Sequence, residues 1–334
     1  MLTRMVAAGR GPLVPLFASG VALLSCARAP FHPAPPRSPL EQRIRLNQLV
    51  VRGSHNSYHV APAVLYDPSY AYTHAPLDVQ LDEQGVRALE LDVHWRPDRS
   101  GIEVYHLPFI DESTTCLRFV DCLATIAAWS DRHPAHLPIF VWIEVKDVLD
   151  DHPFERLDEV DGDLRDAFGN RLLTPDELQG EAPSVHAALA SGGWPTLADA
   201  RGRVIALLIN SDDAHAASYT AGYTSLAGRA IFASATPAQL DDPWAAVSDG
   251  GDRPRALAAG LLAAVNTCSA GESDTECDAE LAAALVGGAQ MLKDDFPAPV
   301  ASRAYSLRFA DDAIALCDPV TDAVGCTPGQ IEGP

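Results

Sequence analysis

The fold is decided by the segment Val50-Val51-Arg52-Gly53-Ser54-His55-Asn56-Ser57-Tyr58-His59, in which an apolar run that begins at Leu46 gives way to small and polar residues. β-Branched residues favour a strand, and Gly53 allows the backbone to turn or to approach a ligand closely. His55 provides an acid–base group near neutral pH, and Asn56 provides a neutral oxygen for a hard cation. Taken alone, the segment is equally compatible with a strand that ends at a functional site and with a turn whose polar residues face water.

Apolar segments with strand character recur along the chain and are separated by segments with helical signals. The candidate strands lie at 48–54, 86–93, 101–106, 137–145, 203–209, 229–233, 261–267 and 289–293. Candidate helices lie at 77–85, 116–131, 153–168, 184–191 and 278–287, with others between 236 and 260. This alternation predicts an α/β fold of the TIM-type (β/α)8 barrel class, with an open doubly wound sheet as the alternative. Residues 298–334 are expected to form an irregular tail.

The composition limits the classes of partner. Hydrophobic residues make up 47% of the 334 residues, which is enough for a sizeable core. The formal net charge of -21 argues against binding to nucleic acid, because nucleic-acid-binding domains carry basic patches. It also argues against electrostatic adhesion to anionic lipid. An acidic protein that acts on an anionic substrate needs local cations, either a few lysine and arginine residues or a metal ion. We expect a monomer.

Residues 1–25 have the pattern of an export signal. Arg4 and Arg10 precede an apolar segment over 13–24, which is too short for a good transmembrane helix. The segment ends in Leu23-Leu24-Ser25-Cys26, which resembles the bacterial lipobox, in which the cysteine becomes the lipidated first residue. We therefore expect an exported lipoprotein that is anchored to the outer membrane or cell surface. An ordinary secretory signal followed by a chance cysteine is the alternative.

The remaining cysteines predict a folded domain with local disulfides. Residues 26–42 contain five prolines and are expected to form an extended spacer, which is followed by one domain over 43–334. The cysteines of this domain lie in three close pairs, which are Cys116 and Cys122, Cys268 and Cys277, and Cys317 and Cys326. Such disulfides are typical of exported proteins and rare in the cytosol. We predict nearest-neighbour pairing, which is one of about 15 possible connectivities, and a metal cluster is disfavoured by the spacing.

Residues suited to catalysis lie on or just after each of the first four predicted strands. They are His55 and Asn56, Glu90 and Asp92, His106, and Glu144 with Lys146. Because side chains alternate along a strand, Glu90 and Asp92 share one face, and so do Glu144 and Lys146. In a parallel barrel such faces can converge at the carboxyl ends of the strands, where barrel active sites lie.

Converging carboxylates repel one another unless a cation compensates their charge. Glu90, Asp92, Glu144 and the Asn56 carbonyl form an all-oxygen set, which suits Ca²⁺ or, in a tighter octahedral arrangement, Mg²⁺. Histidines beside these oxygens leave Zn²⁺ or Mn²⁺ as a second possibility. The alternative without a metal is a set of separate salt bridges at the strand ends.

The pattern resembles the calcium-dependent phosphoinositide-specific phospholipase C family, which belongs to the superfamily of phospholipase C-like phosphodiesterases. Members of this family carry Ser-His-Asn on the first barrel strand, Glu-Leu-Asp on the second, Tyr-His or a similar pair on the third, and Ile-Glu on the fourth. The corresponding segments of this chain are Ser54-His55-Asn56, Glu90-Leu91-Asp92, Tyr105-His106 and Ile143-Glu144. Their order and spacing agree over residues 50–147, and a looser similarity extends through the second half.

The resemblance implies a Ca²⁺-dependent phosphodiesterase with a phospholipid or related phosphodiester substrate. The implied reaction is cleavage of phosphatidylinositol to diacylglycerol and a cyclic inositol phosphate that water can then open. The residues implied as Ca²⁺ ligands are Asn56, Glu90, Asp92 and Glu144. His55 would protonate the leaving alkoxide and His106 would stabilise the transition state.

Three assignments stay open at the level of the sequence. The general base could be Glu90, Glu144 or a histidine. Lys146 and Lys293 are candidate phosphate contacts, although either could instead be a solvated lysine. No cluster of basic residues that would recognise further ring phosphates is evident, so the headgroup is not determined.

Two other functions are alternatives to this one. A glycerophosphodiester phosphodiesterase would share the barrel, the Glu-x-Asp pair and a metal. Its first strand carries His-Arg-Gly, whereas this chain has Arg52-Gly53-Ser54-His55-Asn56. A surface lipoprotein that only binds a ligand would be expected to have lost some of the site residues, whereas every position is filled.

Overall fold

A computed structural model of the protein describes residues 31–96, 100–146, 153–209, 214–321 and 325–332. The predicted signal segment 1–25 and the predicted lipidation residue Cys26 lie outside these ranges. Within the described ranges, no helix combines the length and the apolar character that crossing a membrane requires.

The described residues form ten strands and ten α-helices. The strands are β1 (Leu49–Arg52), β2 (Ala88–Trp95), β3 (Ile102–Val104), β4 (Ile139–Val145), β5 (Val204–Leu208), β6 (Ile231–Ala233), β7 (Val247–Asp249), β8 (Leu262–Cys268), β9 (Met291–Asp294) and β10 (Ala315–Cys317). The helices are α1 (Leu77–Asp82), α2 (Phe119–Arg132), α3 (Pro153–Phe168), α4 (Pro175–Gln179), α5 (Val185–Gly192), α6 (Leu197–Ala200), α7 (Ala214–Tyr219), α8 (Arg253–Ala258), α9 (Asp274–Val286) and α10 (Pro328–Glu332).

Parallel strands arranged in a ring form the centre of the domain. Two five-stranded sheets have the orders β10-β1-β9-β8-β7 and β3-β2-β4-β5-β6. Isolated parallel bridges link the sheets at both seams, between Gly53 and Ala88 and between Ser234 and Val247. The eight parallel strands therefore follow one another in the order β1-β2-β4-β5-β6-β7-β8-β9. This is the strand arrangement of a (β/α)8 barrel, and the predicted fold class is confirmed.

One of the eight predicted barrel strands is wrong. The segment predicted over 101–106 forms β3, which pairs antiparallel with β2 through partners such as Val93 and Val104. Only six residues separate Trp95 from Ile102. A parallel pairing needs a crossover of about a dozen residues or more, so this short connection can only reverse the chain.

The barrel strand that takes its place is β7, which lies where helices were predicted between 236 and 260. Within that range only α8 is an α-helix. β7 has three residues and ends in Asp249, so it is too short to show the periodicity of a buried strand. The tail predicted to be irregular from residue 298 contains β10, which pairs antiparallel with β1, and α10. The helices predicted at 77–85, 116–131, 153–168, 184–191 and 278–287 are present as α1, α2, α3, α5 and α9.

Gly53 lies at the seam between β1 and β2. A Cβ atom at this position would lie 2.7 Å from the carbonyl oxygen of Leu292 and 2.9 Å from the Cβ of Ala88. The absence of a side chain therefore lets the end of β1 fit between its two neighbours. This strand packing, and not a turn or the approach of a ligand, accounts for the glycine.

The alternation of side chains along β2 divides this strand between core and site. Leu89 and Leu91 pack outward in an apolar cluster that includes residues of α2 and α3. Glu90 and Asp92 lie on the opposite face, and Glu90 is the register partner of Trp142 on β4. Trp142 is fully buried in a second cluster, which is lined by β5 to β9. The apolar packing therefore directs both carboxylates into the barrel.

Three disulfides have the predicted nearest-neighbour pairing. They are Cys116–Cys122, Cys268–Cys277 and Cys317–Cys326. The last of these attaches the C-terminal segment to β10, and the first joins the start of α2 to the loop that precedes it.

Candidate active site

Three carboxylates meet where β2 and β4 end inside the barrel. Asp92 and Glu144 are register partners on these neighbouring strands, and Glu90 lies two residues before Asp92 on the same face. One oxygen from each carboxylate lies within 4.8 Å of the other two. Glu90 and Asp92 are buried, whereas Glu144 is partly exposed. The structure therefore brings together the three carboxylates that the strand pattern predicts on one side of the site.

Two lysines neutralise part of this charge. Lys146 Nζ lies 3.0 Å from Glu144 Oε1 and 3.2 Å from Asp92 Oδ2. Lys293 Nζ lies 3.2 Å from Glu90 Oε2 and 3.2 Å from an oxygen of Asp249 on β7. Both predicted phosphate contacts are therefore counter-ions of carboxylates, and the side chain of Lys293 is almost completely buried.

The carboxylates outnumber the lysines, and the pKa of Asp92 reflects this excess of negative charge. Burial, against the opposing effect of Lys146, raises the pKa of Asp92 to about 8, and the charges of Glu144 and Glu90 add to this shift. Burial also acts to raise the pKa of Glu90, but Lys293 and His55 lower it overall. A cation bound among these oxygens would favour the ionised form of Asp92.

The orientation of the Asn56 amide decides whether its oxygen can join the carboxylates as a ligand of a hard cation. The amide atom that faces Asp92 lies 3.2 Å from both of its carboxylate oxygens. If that atom is Nδ2, it donates to Asp92 and the hydroxyl of Tyr72 donates to Oδ1. If it is Oδ1, it accepts from the hydroxyl of Tyr58 at 3.3 Å and otherwise meets the two Asp92 oxygens, an arrangement of acceptors that a cation stabilises. The oxygens of Asn56, Glu90, Asp92 and Glu144 therefore fit Ca²⁺ in their donor chemistry.

A hydrogen-bond network holds the end of β1 against β2. The hydroxyl oxygen of Ser57 accepts from the backbone N–H of Glu90 at 2.7 Å, and the backbone N–H of Ser57 donates to the Glu90 carbonyl at 2.9 Å. Gln80 donates to the Ser57 carbonyl at 2.6 Å and accepts from the Ser54 hydroxyl at 2.7 Å. Between these anchors Asn56 adopts a left-handed conformation with φ of 44°, which asparagine tolerates better than most residues.

His55 is held by an aspartate that the sequence pattern did not single out. Its Nδ1 lies 2.7 Å from Oδ1 of Asp295, and the other oxygen of Asp295 accepts from the backbone N–H of Ala270 at 2.7 Å. Burial acts to lower the pKa of His55, but the charge of Glu90 and the hydrogen bond to Asp295 raise it to about 9. His55 therefore carries a proton on each ring nitrogen at neutral pH.

His106 has the opposite protonation preference. It follows β3, and its Nδ1 lies 2.9 Å from Oδ2 of Asp111. Burial lowers the pKa of His106, although Asp111 opposes the shift, and the charges of Lys146 and His55 lower it further. Two histidines of one site thus have pKa values on opposite sides of neutrality, which is the usual arrangement of an acid and a base.

Three acidic residues of the site were not identified from the sequence. Asp295 lies two residues after the last predicted strand, so its position was a usable signal. Asp249 lies on β7, which was not recognised as a strand. Asp111 belongs to a loop without periodicity, and nothing in the sequence relates it to His106.

One family profile matches the chain. It is described as phosphoinositide phospholipase C, Ca²⁺-dependent, and the match covers residues 44–98 and 96–319. A search of curated proteins finds no match.

Solved structures show the same fold at low sequence identity. A calcium-dependent phosphoinositol-specific phospholipase C from a Gram-negative bacterium, Pseudomonas sp, is 20% identical, with a TM-score of 0.62 over 84% of this chain and 97% of that chain. A Ca²⁺-dependent phosphatidylinositol-specific phospholipase C from Streptomyces antibioticus is 21% identical, with a TM-score of 0.59 over 76% of this chain and 95% of that chain.

Proposed function

Since the chain belongs to the Ca²⁺-dependent phosphoinositide phospholipase C family, we propose that it cleaves phosphatidylinositol to diacylglycerol and a cyclic inositol phosphate. Enzymes of this family are phosphoric diester hydrolases. The observation that carries the proposal is the cluster of Glu90, Asp92 and Glu144 beside two histidines that are each held by an aspartate. This combination supplies ligands for a hard cation, an acid and a base in one site.

The metal would be held by the oxygens of Asn56, Glu90, Asp92 and Glu144. When bound, Ca²⁺ would lower the pKa of the attacking inositol hydroxyl and offset charge on the phosphoryl oxygens. Lys146 and Lys293 offset part of the carboxylate charge from either side, and a bound Ca²⁺ would offset the remaining negative charge that the phosphodiester meets.

His55 is the proposed general acid. Its Nδ1–H donates to Asp295, which leaves the Nε2 proton for the glycerol oxygen as the phosphorus–oxygen bond breaks. The high pKa of His55 supports this role, because an acid must be protonated before the reaction begins.

His106 is the proposed general base. Among the candidates, Glu90 is paired with Lys293 and Glu144 with Lys146. His106 donates from Nδ1 to Asp111, and its Nε2 has no hydrogen-bond partner among the described residues. That nitrogen can accept the proton of the 2-hydroxyl while its oxygen forms the new bond to phosphorus.

A substrate panel tests the proposed reaction. The full-length protein is incubated with phosphatidylinositol, phosphatidylcholine and glycerophosphoinositol, in Ca²⁺ or in excess chelator, and the products are followed by phosphorus NMR. We expect a cyclic inositol phosphate from phosphatidylinositol in Ca²⁺ only. Release of glycerol phosphate as the main product, or full activity in chelator, would contradict the proposal.

We also propose that the protein is exported and anchored through a lipid on Cys26. The lipobox-like sequence at 23–26 and the three disulfides support this location. We expect the wild-type protein in the membrane fraction of the producing bacterium and the Cys26→Ser variant in the soluble exported fraction. An equal distribution of the two proteins would exclude the anchor.

A further inference from the structure

His59 is a fully buried histidine that the reaction above does not use. Its Nδ1 lies 3.0 Å from the carbonyl oxygen of Tyr72, and its Nε2 lies 2.8 Å from Oδ2 of Asp111. A carbonyl oxygen and a carboxylate oxygen only accept hydrogen bonds. Both ring nitrogens of His59 therefore face hydrogen-bond acceptors, so the ring can act as a donor on either side.

Asp111 joins His59 to His106 through a single oxygen. Oδ2 of Asp111 lies 2.8 Å from Nε2 of His59 and 2.9 Å from Nδ1 of His106. Asp111 is fully buried, and its other oxygen, Oδ1, has no hydrogen-bond partner in the part of the chain that the structure describes. The two histidines thus provide all the side-chain hydrogen bonds of this carboxylate among those residues. Without His59, the carboxylate would be held by one hydrogen bond and could rotate.

The position of His59 is set by the surrounding backbone. Its N–H donates to the carbonyl of Asn56 at 2.8 Å, and its carbonyl accepts from the N–H of His74 at 2.9 Å. Its ring stacks on Tyr72 with 4.1 Å between ring centroids. A backbone bridge to Thr114 links it to the segment that follows Asp111. His59 is therefore a rigid donor to the same carboxylate oxygen that His106 contacts.

We propose that His59 is a positioning residue that acts through Asp111 to hold His106 in the tautomer with its proton on Nδ1. In that tautomer Nε2 is unprotonated and can accept the proton of the substrate hydroxyl. A carboxylate fixed at Nδ1 selects this tautomer, because it can only accept a hydrogen bond. The inference rests on the role proposed for His106 as the base.

The first test needs no variant. Nitrogen NMR of the full-length protein labelled at histidine distinguishes the two neutral tautomers of His106. We expect the Nδ1–H form in the wild-type protein, and a predominantly Nε2–H form would overturn the inference. This measurement is independent of the substrate, so it separates failure of the inference from failure of the proposed function, which the substrate panel decides.

The second test compares two substitutions of His59 in the same assay. His59→Leu removes the donor to Asp111. We expect kcat to fall about 10- to 100-fold with KM unchanged, which is the typical effect of losing a residue that orients a site residue through a hydrogen bond. The His106 signal should change to a mixture of tautomers. His59→Gln keeps an N–H that can reach Asp111 and should retain the tautomer and most of kcat.

The control is His133→Gln, which changes a histidine at the end of α2 that pairs with Asp82. It should leave kcat and the His106 signal unchanged. If His59→Leu does not fold, the comparison of His59→Gln with the wild-type protein and the wild-type NMR still decide the question. Wild-type kcat and an unchanged tautomer in His59→Leu would overturn the inference.

Discussion

Replacing Asp92 with asparagine is expected to lower kcat on phosphatidylinositol by about 10³-fold and to weaken Ca²⁺ binding. Asp92 is fully buried, and its carboxylate lies against both Glu144 and the amide of Asn56. A metal that stabilises charge in the transition state contributes several kcal/mol, and about 4 kcal/mol corresponds to about 10³-fold in rate. The substitution removes one anionic ligand while it keeps the shape of the side chain.

Calorimetric titration with Ca²⁺ and steady-state kinetics measure these two effects separately. The matched control is Asp161→Asn, because Asp161 is also a buried carboxylate but accepts from the Tyr219 hydroxyl and the Ala230 N–H at the amino end of β6. It should bind Ca²⁺ as the wild-type protein does. If Asp92→Asn also binds Ca²⁺ with wild-type affinity, Asp92 is not a ligand and the metal lies elsewhere.

Replacing His55 with glutamine is expected to lower kcat on phosphatidylinositol by about 10³-fold, which lies within the range for loss of a general acid. Diacylglycerol is a poor leaving group, because its alkoxide is strongly basic and needs a proton as the bond to phosphorus breaks. A p-nitrophenyl ester of inositol phosphate needs no such proton. On that substrate the same variant should lose only about 10-fold.

The comparison of the two substrates separates proton donation from binding. Loss of a binding contact would reduce the rate on both esters alike. Equal defects on both esters would therefore contradict the assignment of His55 as the acid. The control His133→Gln should have wild-type rates on both substrates, because its side chain lies on α2 beside Asp82.

Features that depend on neighbours in the chain could be predicted from the sequence. Glu90 and Asp92 point into the barrel because the strand period of two places them on one face and the adjacent leucines on the other. The disulfides pair cysteines that are six to nine residues apart. The carboxylates of the cluster were identified for the same reason, since each lies on a strand with a clear apolar pattern.

Features that depend on distant parts of the chain were decided only by the tertiary structure. Asp295, the partner of His55, is 240 residues away in the sequence and reaches it because β9 lies beside β1 in the ring. Among 45 acidic residues, Asp111 carries no local mark of its role, and the position of Asp295 after the last strand does not reveal that His55 is its partner. β7 is a barrel strand because a gap between β6 and β8 has to be filled, although three residues are too few to show a periodic pattern. Local backbone geometry thus determined which side chains enter the barrel. Closure of the ring brought His55 to Asp295, and the fold of the loop after β3 brought His106 to Asp111.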